Sequence, residues 1–72
     1  MPATETRSQR LKQVVKTIRV LTRERKMPPT VRELADALGR SVSPVHKDLW
    51  TLRRDGAVTW EDNKPRTLRV VQ

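Results

Sequence analysis

Thr30-Val31-Arg32-Glu33-Leu34-Ala35-Asp36-Ala37-Leu38-Gly39-Arg40-Ser41-Val42-Ser43-Pro44-Val45-His46-Lys47-Asp48-Leu49-Trp50-Thr51-Leu52 is the stretch on which the fold turns. Thr30, followed three residues later by Glu33, forms a capping box in which each side chain satisfies an amide that the first helical turn leaves bare. Val31, Leu34, Ala35 and Leu38 then fall on one helical face. Gly39 stands where a helix closes with a left-handed residue, a conformation that glycine adopts without a Cβ penalty. The spacing predicts a helix over 31–38, so short that it must dock against something larger. A further helix follows almost at once, over about 42–55, and two caps compete for its start. Ser41 places Val42, Val45, Leu49 and Leu52 on one face, whereas Ser43 would put Pro44 at the first helical position. Gly56 ends it. Two helices joined by a turn of about three residues, with small Ala35 and Gly39 at the corner, make a helix-turn-helix.

Upstream, Leu11, Val14, Val15, Ile18 and Leu21 repeat at helical spacing behind a second capping box, Thr6 to Gln9. Pro28 and Pro29 stop this pattern, because an X-Pro bond drives the preceding residue out of helical geometry. The first helix is therefore expected over about 7–25, after a loose start over 1–5. Downstream the period changes to two. Val58 and Trp60 alternate with polar neighbours, as do Leu68 and Val70 beyond the loop Asp62-Asn63-Lys64-Pro65, which predicts a β-hairpin over 57–71. The fold class is α+β: one domain over 1–72, a three-helix winged helix-turn-helix whose wing is a two-stranded hairpin. A small side chain at position 35 lets the third helix cross closely. That crossing projects its outer face at a width the DNA major groove admits.

The charge balance agrees with such a use. Sixteen Lys and Arg oppose eight Asp and Glu, a formal charge of +8 and a pI near 11.4, which attracts polyanions. An anionic membrane would need a bulky aromatic face on the basic helix, and that helix offers only Leu, Val and Ile, which the core requires. No apolar run reaches the roughly 18 residues of a membrane span and no signal-peptide pattern opens the chain, so the expected compartment is the cytoplasm. Without cysteine, and with His46 as the sole imidazole, neither disulfides nor a metal site are expected. An enzyme is not expected either, nor a cofactor. There is no Gly-rich phosphate loop, no pair of acids in an apolar setting, and no nucleophile beside a base.

Met27-Pro28-Pro29-Thr30-Val31-Arg32-Glu33-Leu34-Ala35, then Leu38-Gly39, then Leu49 and Leu52 before Gly56, resembles the N-terminal DNA-binding domain of the LexA repressors. The hairpin loop Asp62-Asn63-Lys64-Pro65-Arg66 is similar to the wing of some of them. The likeness runs from about residue 6 to 71. It implies a winged helix-turn-helix that binds operators in double-stranded DNA, two copies pairing on a palindrome. Two features depart from the family: the turn after Gly39 is one residue shorter, and Lys26 replaces a glycine before Met-Pro-Pro. The self-cleaving C-terminal domain of LexA, with its Ser-Lys dyad, has no counterpart in these residues, so regulation by self-cleavage does not carry over. Gly39-x-Ser41-x-x-x-Val45-x-x-x-Leu49 also resembles GntR-type winged helices.

The candidate interface centres on the outer face of the third helix, where Ser43, Lys47, Trp50 and Arg54 oppose the apolar stripe and His46 lies at the edge. Ser, His and Lys in the first two turns have the reach for base edges or phosphates. Trp50 either meets the sugar–phosphate edge or packs against the wing, the second being preferred; Trp60 is read as core. Thr30 and Arg32 open the second helix, whose free amides and dipole favour phosphate, and Arg40 and Ser41 in the turn belong to the same surface. Lys64 and Arg66 at the wing tip are expected to enter a minor groove. His46 has no partner that would make it a ligand or a base. Lys12, Lys16, Arg19 and Arg23 form a basic row on the first helix, as suited to a solvated face as to phosphates or a partner.

One core uses nearly every apolar residue, leaving only Val20 and Trp50, which predicts a monomer in solution. The expected function is a DNA-binding transcriptional regulator acting as a repressor. The alternative is an interaction module that binds RNA polymerase or another regulator through its basic first helix.

Overall fold

Two capping boxes and two left-handed closures set the helix boundaries in the computed structural model, which describes residues 6–71; the expected loose start lies outside them. Thr6 Oγ1 accepts from the Gln9 amide at 3.1 Å while Gln9 Oε1 accepts from the Thr6 amide at 3.2 Å, and α1 runs Arg7–Arg25. Thr30 and Glu33 exchange the same pair of bonds, at 3.1 and 3.0 Å, and open α2, Val31–Leu38. Gly39, at φ 68°, closes α2 and lets the Arg40 amide reach back to the Ala35 carbonyl. Ser41 is the N-cap of α3, Val42–Arg54, so Pro44 falls in the first turn, where its missing N–H leaves no bond unmade. Asp55 caps the end and Gly56, at φ 81°, turns the chain into the hairpin.

The hairpin is thinner than its alternation suggests. β1, Val58–Thr59, pairs antiparallel with β2, Arg69–Val70, with Val58 opposite Val70 and Thr59 opposite Arg69. Beyond these residues a side chain replaces the ladder. Thr67 Oγ1 accepts from the Glu61 amide at 2.8 Å and donates to the Lys64 carbonyl at 3.0 Å, holding the loop shut.

Val14, Ile18 and Leu21 of α1, Leu34 and Ala35 of α2, and Val45, Leu49 and Leu52 of α3 close one core with Val58 and Leu68 of the hairpin. Leu11, Val15, Val31, Leu38, Trp60 and Val70 pack half-buried around it. Val42 departs from expectation: it is 42% exposed, because the first turn of α3 has not yet reached the crossing with its neighbours. Val20 and Trp50 also face solvent. Among the described residues no helix is long and apolar enough to cross a membrane.

Candidate nucleic-acid interface

Burying Val45, Leu49 and Leu52 leaves the opposite face of α3 in solvent. Ser43, His46, Lys47, Trp50 and Arg54 are all exposed along it. Ser41 is exposed as well, and its hydroxyl makes no bond to the helix amides. One residue of the inner face is polar. Asp48 is buried, and Arg10 of α1 donates to its carboxylate through Nε at 3.0 Å and through Nη2 at 3.2 Å. This fork fixes how α3 is rotated and tilted on α1, and therefore where its outer face points.

Beside the start of α3, Arg7, Arg10, Arg40 and Lys47 line a cleft of about 550 Å³ together with Pro44, Asp48 and Thr51. Arg7 Nη2 lies 3.4 Å from Thr51 Oγ1 across the same surface, and Arg40 is half-buried with Nη2 3.5 Å from Gln13 Oε1. Arg7 and Arg10 were not expected here, since the periodicity of α1 says which residues face inward but not which neighbour the others approach.

On the far side of α3 the wing is held by aromatic and ionic contacts. Trp50 meets Trp60 edge to face, with centroids 5.2 Å apart, and His46 approaches the edge of Trp50 at 6.2 Å. The Arg53 guanidinium lies 4.3 Å over Trp60 and 5.3 Å from Trp50, donates to the Trp60 carbonyl at 3.2 Å, and pairs with Asp62 at 3.3 Å. Trp50 therefore packs against the wing, the preferred of its two expected places. Trp60 is not fully core; it lies half-buried at the rim, where one face is given to the cation.

The start of α2 carries a charge hub. Glu33 accepts from Arg66 Nη1 and Nη2 at 3.0 and 2.9 Å, and Arg25 stands 3.3 Å away. Its pKa falls to about 2, first through the Arg66 hydrogen bonds and then through the Thr30 amide; partial burial opposes this, and the charges of Arg66 and Arg25 add to the lowering. Arg66 thus departs from the expectation of a side chain splayed at the wing tip. Its backbone is left-handed, at φ 58°, and its guanidinium turns inward to Glu33 and to the Pro28 carbonyl at 3.2 Å. Lys64 remains at the tip, exposed, 3.6 Å from Glu61. Thr30 is taken up by its cap, while Arg32 is exposed.

The structure brings Ser41, Ser43, His46, Lys47, Trp50 and Arg54 onto one surface, with Arg40 at its border and Lys64 on the wing. Thr30 and Arg66 lie behind them as braces. The basic row of α1, Lys12, Lys16, Arg19 and Arg23, lines a separate cleft that α3 reaches only through Leu52.

Residues 4–67 match the family described as LexA DNA binding domain. Among curated relatives, the LexA repressor of Mycobacteroides abscessus is 37% identical over 70 residues, covering 96% of this chain and 31% of its own length. The LexA repressor of Desulfitobacterium hafniense is 37% identical over 65 residues, covering 89% and 32%. That of Acetivibrio thermocellus is 44% identical over 45 residues, covering 61% and 21%. The chain spans about a third or less of the length of these relatives.

Proposed function

This chain belongs to the LexA DNA-binding domain family, and from that premise we propose that it reads an operator in double-stranded DNA and represses transcription by occupying it. The observation that supports this most is the outer face of α3, a polar and cationic row flanked by Arg7 and Arg40 on one side and by Lys64 on the other. In this reading Ser43 and Lys47 approach base edges and His46 the margin of the groove. Arg7, Arg32, Arg40 and Arg54 lie against phosphates, and Lys64 follows the neighbouring groove. Such a protein acts by occupancy in the cytoplasm, needs no cofactor and catalyses nothing. It is monomeric when free, and two copies pair on an inverted repeat.

Binding-site selection on random duplexes, followed by titration at several salt concentrations, tests the proposal. One copy neutralising about four to six phosphates gives a logarithmic salt slope of roughly −3.6 to −5.4. Lys47→Ala weakens binding, and Ser43→Ala relaxes the preference at one base position. A slope near zero, or selected sites without any common sequence, would overturn it.

A further inference from the structure

We propose that the cleft between α1 and the hairpin is a second binding surface, shaped for an acidic amphipathic helix of a partner protein. The cleft is a hollow of about 560 Å³ whose floor is apolar, made by Leu11, Val15, Leu52, Ala57 and Val70. Lys12, Lys16 and Arg23 stand exposed along its rim, and a neighbouring hollow continues past Arg23 to Arg69. Among the described residues lining either hollow there is no Asp or Glu. Val20, 37% exposed and outside the core, adds an apolar edge.

The geometry selects the occupant. From Lys12 to Arg23 the rim advances along α1 by about 16 Å, three helical turns. Glutamates repeated at helical spacing on a second helix match such a row, while the apolar face of that helix descends to the floor. A phosphate backbone would use the rim and gain nothing from the floor. A membrane surface would need apolar groups standing proud of the cations, whereas here, Val20 apart, they are more buried than the cations, and both tryptophans lie at the contact between α3 and the wing. A second copy of this chain, also charged +8, would be repelled. The lining residues include none of the outer face of α3, so a partner and a duplex can be held together.

The test titrates the isotopically labelled protein with a synthetic peptide of three to four helical turns, glutamates on one face and leucines on the other. A scrambled peptide of the same composition is the control. Amide shifts are expected along α1 from Leu11 to Arg23 and at Ala57 and Val70, with the scrambled peptide roughly tenfold weaker. Lys12→Gln, Lys16→Gln and Arg23→Gln together should weaken the peptide about tenfold, since each exposed charge pair is worth a factor of about two. Val20→Ser, at an exposed position, should weaken it further without lowering the melting temperature. Lys47→Ala should leave the peptide untouched while weakening the duplex, so this proposal and the DNA-binding one fail separately. Equal binding of the scrambled peptide would overturn the proposal, as would shifts centred on Ser43 and Lys47. A doubled mass with the cleft protected would assign the surface to self-association, and stronger binding to phosphatidylglycerol vesicles would assign it to lipid; either result refutes the partner helix.

Discussion

α3 and the wing are each tied to the rest of the molecule by an arginine fork on a carboxylate, but in different surroundings. Arg10 grips Asp48 where the acid side chain is only 8% exposed, while Arg66 grips Glu33 where the acid is 27% exposed. Removing Arg10 strands the Asp48 charge in a poor solvent; removing Arg66 leaves Glu33 better hydrated and still paired with Arg25. The two ties have similar geometry and different strength. In the proposed reading, the element that meets the bases is held hard, and the element that follows the shape of the duplex is held by bonds that water and salt can loosen.

Four measurements follow, and two of them probe that contrast. Leu49→Ala removes a fully buried side chain from the centre of the core and should cost about 2–5 kcal/mol, near the whole stability of a domain this small. α3 and the wing should then be lost together, and a melt within a few degrees of the parent would place Leu49 outside the core. Asp48→Asn keeps the shape but removes the charge that Arg10 faces, and should cost about 1–3 kcal/mol in a denaturant melt. If Arg66→Gln costs as much, the contrast between the ties is wrong.

The third measurement is acid titration of the wing. The folded pKa of Glu33, about 2 against an ordinary 4.5, is depressed, so folding binds fewer protons than the unfolded chain in the interval between them. The stabilisation is complete above about pH 4.5 and is lost as the pH falls toward 2. Wing amide shifts should follow Glu33 through that window, and added salt should raise its pKa by screening Arg66 and Arg25. An unshifted Glu33 would mean that the fork is not formed in solution. The smallest effect tests neither tie. Lys26 closes α1 in the left-handed region at φ 58°, and Lys26→Gly should raise stability by about 0.5–1 kcal/mol, relief of backbone strain outweighing the added freedom of the unfolded chain. A loss in the melt would contradict that account.

What could be read from the sequence was whatever is encoded within a few residues. Both capping boxes, Gly39 and the succession of three helices and a hairpin depend on neighbours a few positions away, and the structure has them, with a hairpin that pairs over fewer residues than its alternation suggests. The exposed row on α3 follows from the apolar stripe opposite it. The ties were not legible, because Arg10 and Asp48 lie 38 residues apart and Glu33 and Arg66 lie 33 apart. Neither partner carries a local mark to distinguish it from an ordinary surface charge. Arg53 was missed for the same reason: its role exists only once Trp60 has been folded over α3. Val42 shows the reverse error, a residue correct in phase but too close to the end of its helix for anything to cover it.

The chain holds two tryptophans and neither tyrosine nor phenylalanine, and the two indoles touch edge to face across the junction of α3 and the wing. Its intrinsic emission and its near-ultraviolet circular dichroism therefore originate in a single joint, with coupled rings and a cation stacked against them. Amide circular dichroism, by contrast, is dominated by the three helices. Recorded side by side during heating, acidification or duplex titration, the two signals separate a change of wing attitude from loss of the helical body, with no label introduced.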